Sequence, residues 1–345
     1  MPLKRLPLSV MLPMLCLLVF TTMIGSIAVG PMEISIIDSL RSLIGYHDNL
    51  APNIQLIINE IRLPRTLLSL VIGASLAICG VVMQSVFRNP LAEPGVIGVS
   101  AGAMLGGALA IIVFADISQH YPLIMNLLTI PFFAFVGGAL TTVLAYKIGT
   151  NQFGTSVTGM LLAGIAITAL SGAVIGYLNF IANDQSLRDF AMWSMGSLAG
   201  ANWSGVGLAT AVLCGLFYYF YKDAQALNAL LLGDSEARHL GIDVQKLKRR
   251  MILLSAAGVG VSVSLCGIIG FIGLVIPHFG RMLIGPNHRA LLPISAFLGA
   301  LLLTLADMSS RILVAPAELP VGIITALFGS PFFIYLLYKQ KEKAL

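Results

Sequence analysis

The chain has 345 residues, of which 57% are hydrophobic and only 10% charged, whereas an ordinary soluble protein is roughly 45 to 50% apolar and about 25% charged. A water-exposed surface for a chain this long needs far more Lys, Arg, Asp and Glu, so a soluble enzyme is excluded and the missing polar surface has to face lipid. A bilayer core about 30 Å thick is crossed by roughly 20 helical residues, which leaves room for on the order of ten spans. The apolar runs are continuous rather than alternating at every second residue, which excludes a membrane barrel.

Lys4 and Arg5 precede an apolar stretch with no clear small-residue cleavage site, so the first segment, 7–29, reads as an uncleaved span. Further apolar segments follow at 64–86, 95–114, 122–146, 157–181, 204–221, 251–269, 271–284, 291–310 and 320–338. The stretch from Met251 to Ile284 is too long for one span, and the cluster Gly267, Gly270, Gly273 and Pro277 divides it. Ten helices in a single membrane domain, 1–345, result. Pro90 and Pro94 enforce a tight, non-helical link between the second and third. Cys16, Cys79, Cys214 and Cys266 are scattered singly in apolar runs, so they imply neither a disulfide framework nor a zinc site.

Orientation follows from the excess of Lys and Arg on cytoplasmic loops. With both termini inside, fifteen of the twenty Lys and Arg residues fall inside; only Arg41, Arg62, Arg65, Arg188 and Arg311 fall outside. The positive balance therefore describes a cytoplasmic membrane face, and without an aromatic-interleaved basic surface no nucleic acid is expected. Arg62 and Arg65 lie three apart around Pro64, so both project from one face at the outer end of the second helix. There they oppose the helix dipole. They either snorkel to outer phosphates or pair with Glu60, or they receive an acidic partner docking from outside.

Gly98, Gly102 and Gly106 share one face of the third helix; Gly164, Thr168, Gly172 and Gly176 share one face of the fifth. Either stripe permits close helix approach or a smooth lining for a wide substrate. Ser156 and Thr158 put hydroxyls near the cytoplasmic end of the fifth helix, where a constriction could lie. In the largest cytoplasmic segment, 222–250, Gly233 and Gly241 bracket a short helix, Asp234 to Leu240. Ser235 is expected to cap it, and Ala237 with Leu240 to form a small apolar edge. A helix that short needs a partner groove, either its own bundle or a soluble subunit.

The chain holds no Gly-Lys dipeptide and hence no P-loop. No HExxH, GxSxG or other catalytic set is found, no metal site is expected, and the spans are nearly bare of the ionisable groups that a proton-driven pump requires. An ion-coupled transporter or a membrane enzyme is disfavoured, and a conduit driven by a partner is favoured.

Four segments, RLPRTLLSLVIGASLAICGVVMQSVFRNPLAEPGVIGVSAGA at 62–103, GDSEARHLGI at 233–242, GFIGLVIPHFGRM at 270–282 and ADMSSRILVAPAELPVGIITALFGSPFFIYLLYK at 306–339, resemble the FecCD-type membrane permeases of ATP-driven importers for ferric siderophores, haem and cobalamin. The resemblance implies an all-α, ten-helix subunit of the type II ABC importer fold in the bacterial inner membrane. It implies a second permease copy, two cytoplasmic ATPase subunits that use ATP and Mg, a periplasmic substrate-binding protein, and no cofactor bound by this chain. By the same resemblance Arg62, Arg65 and Arg311 match the arginines that receive the binding protein. Gly233, Asp234, Ser235, Glu236, Ala237, Arg238, His239, Leu240 and Gly241 match the helix that couples to the ATPase. The same resemblance implies that the residues around Ser156 to Thr158 lie near the cytoplasmic gate, and Gly164, Thr168 and Gly172 are the expected pathway lining beside it. The segments NDQSLRDFAMWSMGSLAGANW at 183–203 and RILVAPAELPVG at 311–322 look more like haem permeases than siderophore or cobalamin ones.

Overall fold

The computed structural model describes residues 7–30, 32, 34–43, 52–115, 120, 129–152 and 154–344. In chain order the helices are α1 (Leu8–Ala28), α2 (Ile36–Leu43), α3 (Pro52–Val86), α4 (Val99–Val113), α5 (Ile130–Ile148), α6 (Val157–Ile181), α7 (Asp184–Ser194), α8 (Trp203–Lys222), α9 (Ala224–Leu230), α10 (Asp234–His239), α11 (Val244–Cys266), α12 (Ile272–Ile284), α13 (His288–Ile312) and α14 (Val321–Ala344). Seven of these are long and apolar enough to cross a membrane, and α4, α12 and α14 supply shorter apolar helices. Together they match the ten segments read from the sequence. Lys4, Arg5 and 122–128 lie outside the described residues.

Several boundaries move for local reasons. The seventh apolar helix begins at Val244 rather than 251, because Asp243 caps it through a bond from the Lys246 N–H and the charged first turns continue the helix. It stops at Gly267, whose φ of 68° leaves the helical region. The link after α3 contains a 3-10 turn, Pro94–Ile97, rather than wholly irregular chain. The expected loop 222–250 is instead three helical pieces, α9, α10 and the start of α11.

The bundle is organised around α3, which packs against α8, α11, α12 and α13 and is buried nearly all round. Its polar side chains are satisfied from neighbouring helices, as a membrane interior demands. Ser69 Oγ lies 2.8 Å from Thr304 Oγ1, and Gln84 Nε2 donates to the Gly273 and Leu274 carbonyls. Close approach comes from glycine facing glycine: a Cβ on Gly73 would stand 2.2 Å from the Gly299 oxygen, and one on Gly80 2.0 Å from the Gly273 oxygen. α4 and α5 meet the same way, Gly102 and Gly106 lying against the Gly137 and Phe133 carbonyls. The third-helix stripe is thus a packing seam.

By contrast α6 leaves Leu162, Ile165, Leu170, Tyr177 and Phe180 exposed. Such a face has to meet lipid or another apolar chain. Gly102→Ala should lower detergent-solubilised stability by about 1–3 kcal/mol through overpacking against backbone, seen as a fall in Tm. Gly207→Ala on the open face of α8, where nothing lies within 4 Å of the added methyl and Ala is the better helix former, should leave Tm the same or slightly higher.

Candidate functional sites at the two ends of the bundle

At the end of the bundle that carries the fewer basic residues, α1, α3 and α13 are tied by a buried ionic cluster. Asp307 has no exposed surface and stands on α13 one turn before Arg311. Its Oδ1 accepts from Arg65 Nε at 3.0 Å and lies 2.9 Å from Arg65 Nη2. Its Oδ2 lies 3.0 Å from Arg311 Nη2, close enough to neutralise that charge though not aligned for a hydrogen bond. Arg65 Nη1 donates to Glu318 Oε2 at 2.8 Å, and the Glu318 side chain remains one-third exposed. Arg311 Nη1 donates to the Ser26 and Val29 carbonyls at 3.0 Å, and its Nη2 to Ser26 Oγ at 2.7 Å. Arg62 Nη1 donates to the Ile27 and Ala28 carbonyls, both at 2.7 Å, and its Nη2 to the Met32 carbonyl.

All three arginines singled out in the sequence therefore converge, and all three are buried. This corrects two expectations. Glu60 is exposed and is not their partner, and the guanidinium groups do not snorkel outward. Their first task is to satisfy the unpaired carbonyls at the end of α1 and to neutralise Asp307 and Glu318. Asp307 and Glu318 went unassigned in the sequence, although the Asp307 to Arg311 spacing of four was a legible signal.

At the basic end, α10 is held by one ion pair, Lys248 Nζ to Asp234 Oδ2 at 2.6 Å, and by chain reversals at Gly233 (φ 131°) and Gly241 (φ 81°). Ser235 does not cap it. The helix starts at Asp234 as expected, but Gly233 occupies the cap position two residues before Ser235, which is exposed. Ala237 and Leu240 do not share an edge either. Ala237 is fully buried against the bundle, while Leu240, already turned off the helix, is exposed. The outward apolar pair is Leu232 and Leu240, flanked by exposed Glu236, Arg238 and His239.

Beneath it, α9 was not foreseen. Its Leu227 and Leu230 are buried, and its Asn228 Oδ1 accepts from the His288 N–H and lies 2.6 Å from His288 Nδ1, whose other nitrogen lies 2.6 Å from Ser85 Oγ. That chain latches the α9–α10 platform to α3 and α13.

The residues proposed along the pathway separate. The Ser156 hydroxyl caps α6 by accepting from the Gly159 N–H, while Thr158 is exposed. Thr155, beside them in a two-residue hairpin, is tied to α11 through Gln245. Gly164 is packed on the Val96 carbonyl and Thr168 bonds the Gly164 carbonyl, but Gly172 and Gly176 face open space. Glu93, in the link after α3, accepts from the Phe271 N–H at the break between α11 and α12, and burial pushes its carboxyl above the usual range. No cluster of His, Cys, Asp and Glu able to hold a metal occurs among the described residues.

This architecture, with many apolar helices around a central span and most charge near the two ends, is that of a multi-pass membrane protein. The chain belongs to the FecCD transport family, whose model matches residues 16–339. It is 45% identical to the hemin transport system permease of Yersinia pestis, over 82% of this chain and 84% of the relative. It is 39% identical to the cobalamin import permease of Halobacterium salinarum, over 84% and 76% respectively. A solved metal-chelate type ABC transporter in an inward-facing conformation superposes with a TM-score of 0.82 at 34% identity, covering 95% of this chain and 98% of that one.

Asp307→Asn should cost about 3–5 kcal/mol, because it strands two buried arginines; replacing Asp307 and Arg311 together by Leu and Met should cost less, as read from thermal unfolding. Glu93→Gln should flatten the pH dependence of stability. A carboxyl whose folded pKa is raised loses stability as pH climbs from its unfolded value to its folded one, and the amide does not titrate.

Proposed function

We propose that this permease carries haem from an extracytoplasmic binding protein to the cytoplasm as one half of a homodimer, with two ATPase subunits supplying the energy. The observation that carries the haem assignment is the 45% identity to the hemin permease, against 39% to the cobalamin permease over a similar span. The open Gly172–Gly176 face of α6 is suited to line a wide conduit between two copies, and Thr158 stands at its basic end. With purified ATPase and binding protein in proteoliposomes, ATP should drive uptake of labelled hemin in preference to cobalamin and to a ferric siderophore. Preference for either of the others would overturn the haem reading while leaving the importer intact.

The binding protein is proposed to dock over the arginine cluster. Glu318 is its most exposed carboxylate, so an incoming acidic side chain can take its place on Arg65 without unburying Asp307. Glu318→Gln should therefore strengthen binding-protein affinity several-fold. Charge reversal at Arg62, Arg65 or Arg311 tests folding before it tests docking.

α10 is proposed to seat in the ATPase through Leu232 and Leu240. Replacing both by Asp should release the ATPase on purification without lowering the permease's own Tm, whereas Ala237→Asp, aimed into the bundle, should lower Tm. An ATPase complex that survives the double leucine replacement rules out this contact.

A further inference from the structure

Between α1, α3, α8 and α13 a groove of about 760 Å³ opens sideways from the bundle. Val71, Ala74, Leu213, Phe217, Ala296 and Phe297 form its walls, and it runs to Tyr218, Tyr221 and Lys222 at the basic end of α8. The ten residues of α8 from Leu213 to Lys222 rise roughly 14 Å, about half the hydrocarbon core. The groove therefore lies mostly in the leaflet on the basic side and reaches the midplane at Val71 and Ala74. Apolar walls of this kind do not hold ordered water, and the surrounding medium at that depth is hydrocarbon.

The mouth of the groove is electrostatically one-sided. Lys222 is exposed there, and Arg289, also exposed, lies one helical turn before the groove-lining Pro293 on α13. The carboxylate next in the chain, Asp223, is paired with Arg250 and does not neutralise Lys222. Two tyrosines beside a lysine at the end of a span set the height of the headgroup layer.

We propose that this groove holds an acyl chain of an anionic phospholipid, with its headgroup phosphate against Lys222 and Arg289. Each cation at the surface favours an anionic headgroup by about 1 kcal/mol, or roughly fivefold.

Cys214 lines the groove and is exposed, so it reports occupancy; Cys16 is exposed on α1 outside the lining, and Cys79 and Cys266 are buried. The full chain is placed in nanodiscs of phosphatidylcholine alone or with phosphatidylglycerol. Alkylation by a bilayer-soluble maleimide is then followed at Cys214 and normalised to Cys16 by peptide mass spectrometry. Phosphatidylglycerol should slow Cys214 several-fold, and the double variant Lys222→Gln, Arg289→Gln should remove that difference. Ala296→Trp, which fills the groove, should slow Cys214 in both lipids. Equal rates in the two lipids, whether from a zwitterionic chain or a second copy of the protein covering the groove, would overturn the proposal. Phosphatidylglycerol protection that persists in the double variant would do so as well.

Discussion

The fold depends on Asp307. A carboxylate with no exposed surface is tolerable in a membrane protein only if its charge is neutralised inside the chain. Here two arginines from two helices do so, and one of them reaches on to the carbonyls that α1 leaves unpaired at its end. One buried negative charge thus specifies which three helices meet and at what height. Burying this cluster is costly compared with an apolar core, so its worth lies in register as much as in stability.

The rest of the bundle follows a different economy. Lipid provides no hydrophobic drive for helices to associate, so close packing has to do that work, and glycine supplies it by letting backbones touch. The same residue type is used oppositely on α6, where Gly164 is pressed against the Val96 carbonyl and Gly172 and Gly176 face open space. A small-residue stripe is therefore not one signal. Its members separate into packing and lining according to which neighbour the fold brings up.

Much of this was legible in the sequence. The ten apolar segments, the break in the Met251–Ile284 stretch and the gathering of Arg62, Arg65 and Arg311 at one end of the bundle follow from hydropathy, glycine and proline placement and the distribution of basic residues. What could not be read was direction. A span period says that Arg65 lies near an end, but its reach to Asp307 joins residues 242 apart in sequence, and no local pattern encodes that pairing. Ser235 is a good capping residue by type, yet Gly233 took the position because the chain must reverse there with a positive φ. Ala237 and Leu240 were grouped by helical spacing, which fails in a six-residue helix whose end has already turned away. Helix α9 carries no local signal, because its apolar residues are too few to stand out beside the spans and are recognisable only from what they pack against.

The glycine contacts on α3 carry a mechanical consequence. Interdigitated side chains hold two helices in discrete registers, like teeth. Where Gly73 meets Gly299 and Gly80 meets Gly273, backbone stands against backbone, with the side chains of Leu303, Ala77 and Pro94 flanking the contacts. Nothing wider than hydrogen fits between α3 and the backbones of α12 and α13 at those points, so the backbones themselves set the helix separation rather than side-chain rotamers. The Asp307 cluster joins α3 to α13 at one end, and the Ser85–His288–Asn228 chain joins them at the other, where α9 and α10 are attached. These two features make α3 and α13 one continuous strut between the arginine cluster and the α9–α10 platform.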